Sequence, residues 1–180
     1  MPIKTLKSEF KLGFLTVLEV EGFGSCGGLL VVNHIGRPVE FHCTAPVSAN
    51  RTQEILYGRS LKSFLYCDQI GKTLTSQSKS QLDLIVTDQP SLVGLETSAD
   101  QTLVLLLDKS EIEQRQNCIA SAHRLDMGSD SPMIPFAFAE DQNQLANATA
   151  QLQHFVQTLP LDEPFERIEN AIDEAQSVAR

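Results

Sequence analysis

Asp88 and Asp108 each close an apolar run, at 82–87 and 103–107. If those runs are neighbouring parallel strands, both carboxylates emerge at the carboxyl ends, where open α/β sheets place ligands. Two carboxylates there would hold Mg²⁺, with waters completing its octahedron, and His123 or Glu111 would assist a hydrolytic water. The chemistry implied is metal-dependent hydrolysis. The competing assignment is structural. Asp88 precedes Gln89-Pro90 and Asp108 precedes Lys109-Ser110-Glu111, both patterns of a helix start. Antiparallel strands would put the two aspartates at opposite ends and dissolve the site.

A second set of candidates surrounds a literal GxGxxG at residues 22–27. In a dinucleotide fold such a loop leaves a strand and opens a helix that receives the pyrophosphate. Here the residues that follow, 28–33, are β-type and run into an Asn-His-Ile-Gly turn. A glycine-rich hairpin is therefore expected, with the backbone at Gly24 and Gly27 open to an anion. Arg37, Glu40 and His42 add a polar strand close by in sequence, a candidate ligand-facing patch or a half-exposed strand with a weak surface pair.

Other chemistries fare less well. The cysteines Cys26, Cys43, Cys67 and Cys118 form no CxxC pair and match no zinc spacing. Free thiols are expected, and no metal. Cys26 as a nucleophile would need His34 or His42 as its base, and no GxSxG elbow is present. Arg51, Arg59 and Lys62, with Tyr57 and Tyr66, could contact phosphate, but a net charge of −9 argues against a nucleic-acid surface. The last candidate is apolar. Phe165, Ile168 and Ile172 recur at helical spacing opposite an acidic face, and would serve a partner groove or a second copy if they did not pack on the chain itself.

The elements that must position these groups can be read from hydrophobic periodicity. Strands are expected at 12–21, 29–32 and 39–43, joined as an antiparallel meander, and again at 82–87 and 103–107. Asn50 with Gln53 makes a capping box for a short helix in which Ile55, Leu56 and Tyr57 supply apolar surface and Gly58 a stop. A second helix follows from Ser60 through Leu61, Phe64 and Leu65. Residues 128–135 are rich in Gly, Ser, Asp and Pro and read as a loop. Two amphipathic helices end the chain, separated by Pro160.

The expected fold is α+β: a meander-containing sheet of about five strands, a helical insertion and two C-terminal helices. Residues 1–126 would form the α+β domain, 127–138 a linker, and 139–180 a helical segment packed on the domain or on a partner. The 180 residues are 42% hydrophobic, enough to bury a core. No apolar run reaches the ~20 residues of a membrane helix, and the opening Met-Pro-Ile-Lys shows no secretory pattern, so a cytoplasmic chain is expected. Charge is uneven. Residues 1–80 carry nine Lys/Arg and six Asp/Glu, and 81–180 carry five and seventeen. The leading functional expectation is a non-enzymatic adaptor or regulatory module that binds a protein partner or itself, with no cofactor. The alternatives are the Mg²⁺-dependent hydrolase and a small-ligand sensor with a pocket between sheet and insertion helices.

Overall fold

Strand β1 (Lys11–Val20) is apolar on both of its alternating faces. Leu12 and Phe14 point one way, and Leu15 and Val17 the other. Such a strand is stable only with cover on both sides. In the computed structural model, which describes residues 9–128 and 131–179, β1 is the third of seven strands ordered β3-β2-β1-β4-β5-β7-β6. The N-terminal residues read for a secretory signal and two positions of the 128–135 loop lie outside the described residues.

The sheet is mixed. β2 (Gly24–Asn33) runs antiparallel to β1, and β3 (Pro38–Cys43) antiparallel to β2. β4 (Leu84–Thr87) and β5 (Thr102–Asp108) then add parallel to β1, with Leu15 beside Thr87 and Thr87 beside Leu105. β6 (His123–Arg124) and β7 (Met133–Phe138) complete it antiparallel.

The class is α+β, but the sheet is larger than five strands and not a simple meander. Two differences have identifiable causes. β2 begins inside the expected glycine loop, because only Glu21–Phe23 are needed to turn the chain, with the Phe23 N–H donating to the Val20 carbonyl at 2.9 Å. All of β7 falls in the expected linker 127–138. Its run of Met133 to Phe138 has a proline at its centre, yet it pairs with β5 from Asp108–Met133 to Leu103–Phe138.

Helices cover both faces. α1 (Arg51–Tyr57), α2 (Leu61–Ser63), a π-helical stretch Phe64–Gly71 and α3 (Lys72–Gln77) follow β3. Tyr66, Cys67, Ile70 and Leu74 from this run pack on Leu15, Leu29, Val31 and Ile85. These side chains form a packed layer between the insertion helices and the sheet. A short α4 (Gln116–Ile119) sits near the β5–β7 side. The other face carries α5 (Gln142–Phe155) and α6 (Glu163–Val178), which bury Phe155, Phe165, Ile168 and Ile172 on Phe14, Cys26, Leu30 and Val86.

Two adjacent glycines in β2 make this double cover possible. A β-carbon at Gly27 would run into Ile70 Cγ2 and lie 3.0 Å from Leu74 Cδ1. One at Gly28 would run into Ile168 Cγ2 and lie 3.0 Å from Ile172 Cδ1. Successive residues face opposite sides of a strand, so each glycine admits a helix on one face.

Candidate functional site

The parallel register brings Asp88 and Asp108 to one end of the sheet. Their carboxylates are nevertheless engaged separately. Asp88 follows the Leu15–Thr87 pair, and its Oδ1 accepts the Thr16 hydroxyl at 2.6 Å and the Gln89 amide at 3.4 Å. Gln89, not Asp88, occupies the cap position of the 3₁₀ turn Pro90–Leu92. Asp108 Oδ1 accepts the Ser110 N–H at 2.8 Å and its hydroxyl at 2.7 Å, capping the turn Lys109–Glu111. His123 stands on β6 opposite Ala137, which itself pairs with Val104. That is four residues short of Asp108, about 13 Å along a strand. Among the described residues, no group of three or more His, Cys, Asp or Glu side chains is placed to hold a metal ion.

Burial pushes the Asp88 carboxyl above its ordinary range, and the negative charge of Glu169 pushes the same way. The Thr16 and Gln89 hydrogen bonds oppose the shift without cancelling it. Stability from a carboxyl of this kind is fully present below its unfolded pKa and is lost as pH rises through the folded one. Asp88→Asn keeps an oxygen for the Thr16 hydroxyl and removes the buried charge. We expect it to raise the melting temperature at neutral pH and to flatten the fall in stability on the alkaline side of pH 4. Thermal melts from pH 4 to 8 check this, and a destabilised variant would contradict it.

The glycine and strand candidates serve the fold. Gly24 has φ +109° and lies against the Val47 backbone. The Gly27 N–H donates to Thr44 Oγ1 at 3.0 Å, and its α-carbon is covered by Ile70 and Leu74. The Arg37 N–H donates to Asn33 Oδ1 at 2.9 Å, closing the β2–β3 turn. Glu40 meets His42 Nε2 at 2.9 Å, receives the Lys79 N–H at 3.0 Å, and bonds the Ser80 hydroxyl. It therefore ties the edge strand β3 to the segment that enters β4.

Those bonds, that from His42 foremost, hold the Glu40 carboxyl down at about 2. A lowered carboxyl contributes stability that is present above its unfolded pKa and lost as pH falls through the folded one. Glu40→Gln should thus weaken the chain at neutral pH, and the difference from wild type should shrink as pH drops from about 4.5 toward 2. Urea titrations across that range test it. A pH-independent difference would contradict it.

The stripe Phe165, Ile168 and Ile172 is occupied by the chain's own sheet, with exposures of 7%, 0% and 1%. Its apolar face is not free to receive a partner, because glycine at position 28 lets α6 settle directly onto β2.

Free apolar surface lies instead on α1. No residue of this helix is buried. Ile55 is 66% exposed and Leu56 77%. Tyr57 stacks on Phe64 at a centroid distance of 4.0 Å and an interplanar angle of 13°. The helix is held from its ends. Asn50 Oδ1 accepts the Gln53 N–H at 2.9 Å, and Gln53 Oε1 accepts the Asn50 N–H at 3.1 Å. Gly58, at φ +51°, stops it. Arg51, Arg59 and Lys62 are exposed around it, with Lys62 Nζ 5.2 Å from the centre of the Tyr66 ring.

The base of this projection leads to a cluster at the carboxyl end of β1. The buried Tyr66 hydroxyl donates to Glu19 Oε1 at 2.6 Å, and Ser25 Oγ donates to Glu19 Oε2 at 3.0 Å. Burial and the Glu19 carboxylate raise the Tyr66 pKa, so the phenol stays a donor. Next to Glu19, a cleft of about 450 Å³ opens between β1 and α6. Leu18 and Val20 contribute apolar surface, and Glu21, Glu169 and Asp173 are its acids, while the Glu19 carboxylate is turned to Tyr66 on the other face. None of its lining residues is a lysine or arginine.

From the sequence alone, Ile55 and Leu56 are ordinary apolar surface of a short helix. A signal was present. Three consecutive apolar residues spread over about 200° of a helix at 100° per residue, so a seven-residue helix cannot bury all of them against one wall. Glu19 and Thr16 gave no comparable signal, since each is a single polar residue in an apolar strand.

Comparison with models of protein families finds no match to the chain, and no curated protein matches it. Among the described residues no helix is long and apolar enough to cross a membrane.

Proposed function

We propose that this chain is a non-catalytic interaction module, an adaptor or regulatory subunit, that holds a protein partner on the projecting helix α1. The observation that carries this reading is the exposure of Ile55 and Leu56 on a helix with no buried residue. Fully burying an aliphatic side chain of this size is worth about 1.5–3 kcal/mol. An isolated helix shorter than ~12 residues is marginal in water. The capping box, the glycine stop and the Tyr57–Phe64 stack hold α1 in shape before anything binds, which lowers the ordering cost of docking.

The test is Leu56→Asp with Ile55→Asp beside it. Both variants should fold as the wild type does by circular dichroism and melting temperature. Both should lose the proteins that the wild-type chain retains on purification. Retention of the same proteins by both variants would contradict the reading.

A further inference from the structure

We infer that the partner held by α1 is a second copy of this chain, with α1 of each copy seated in the β1–α6 cleft of the other. The inference rests on the reading of α1 as a docking surface and adds the identity of the occupant.

Charge complementarity carries it. The helix offers Ile55 and Leu56 flanked by Arg51, Arg59 and Lys62, with Glu54 the one acid in 51–63. The cleft offers Leu18 and Val20 among Glu21, Glu169 and Asp173. Each surface supplies what the other lacks, an apolar centre with a rim of opposite sign. Proximity supports exchange in both directions. Ser25 bridges Val47 through hydrogen bonds of 2.8 and 2.7 Å, three residues before the Asn50 cap, and Ser25 also bonds Glu19 at the edge of the cleft. Helix and cleft thus lie at the same end of the sheet. A two-fold axis there makes the helix-to-cleft contact twice, which closes a dimer and leaves no open chain of contacts.

The experiment is sedimentation of the full chain at low and high salt, with two variants. The wild type should dimerise, and raising NaCl from about 0.05 to about 0.5 M should weaken it at least about tenfold, because exposed ion pairs are screened. Leu56→Asp should weaken it at least about tenfold at either salt. The double variant Glu169→Lys with Asp173→Lys should do the same from the cleft side. Mixing the two variants restores one native contact, and a heterodimer should reappear. A wild type that stays monomeric through the millimolar range overturns the second-copy inference. The reading of α1 then stands or falls separately, on whether Leu56→Asp releases a different protein. A dimer unaffected by Leu56→Asp overturns the second-copy inference too, and leaves the α1 reading to that same release test.

Discussion

Gly27→Val and Gly28→Val are each expected to lower stability by about 1–3 kcal/mol. That corresponds to roughly 2–4 °C of melting temperature per kcal/mol in a domain of this size. Propensity argues the other way, since glycine inside a strand costs about 0.5–1 kcal/mol relative to alanine. The close approach wins because the colliding atoms, Ile70 Cγ2 and Ile168 Cγ2, belong to β-branched side chains that are stiff at χ1 and buried. A double-mutant cycle separates the two effects. Gly27→Ala should cost clearly less in an Ile70→Ala background than in the wild type. Additive costs would show that the glycine is not there to admit the helix. The same contact seats the π-helical stretch that delivers Tyr66 to Glu19, so a lesion here reaches the base of α1.

The second large effect separates binding from folding. Leu56→Asp places a charge where an interface would be dry, so its binding partner should lose about tenfold to a hundredfold in affinity. Folding stability should move by no more than about 0.5 kcal/mol, as for other exposed positions. Ile168 gives the opposite pattern. It is fully buried on the sheet-facing side of α6, and Ile168→Ala should cost about 2–5 kcal/mol of stability. Equilibrium unfolding and a binding measurement on the same two variants give a four-way comparison. Equal destabilisation by both would remove α1 as a separate docking element.

What the sequence made legible follows a physical division. The Asn50–Gln53 box and the Gly58 stop are local, and both were readable. The continuous apolar run of β5 announced burial on two faces, and the structure places it inside the sheet. β7 was hidden because Pro135 and the polar residues before it carry a loop composition, while its pairing with β5 is a long-range event. Pro90 two residues after Asp88 makes a helix-start signature at that aspartate. Its actual partner, Thr16, lies 72 residues away and is reached only through the β1–β4 register. Phe165, Ile168 and Ile172 carried the strongest periodic signal. Periodicity marks a buried face without saying what buries it. The exposed pair Ile55 and Leu56 had the weaker pattern and became the better candidate.

The most direct test of α1 as a docking surface is photo-crosslinking from position 56. Leu56 is replaced by a photoreactive phenylalanine analogue in the full chain, the cells are irradiated, and the adducts are resolved by mass. An efficient adduct is expected from position 56, at twice the 19.8 kDa of the chain if the partner is a second copy, and none from exposed Glu113 used as a control. Only uncrosslinked chain, or equal adducts from both positions, would contradict it.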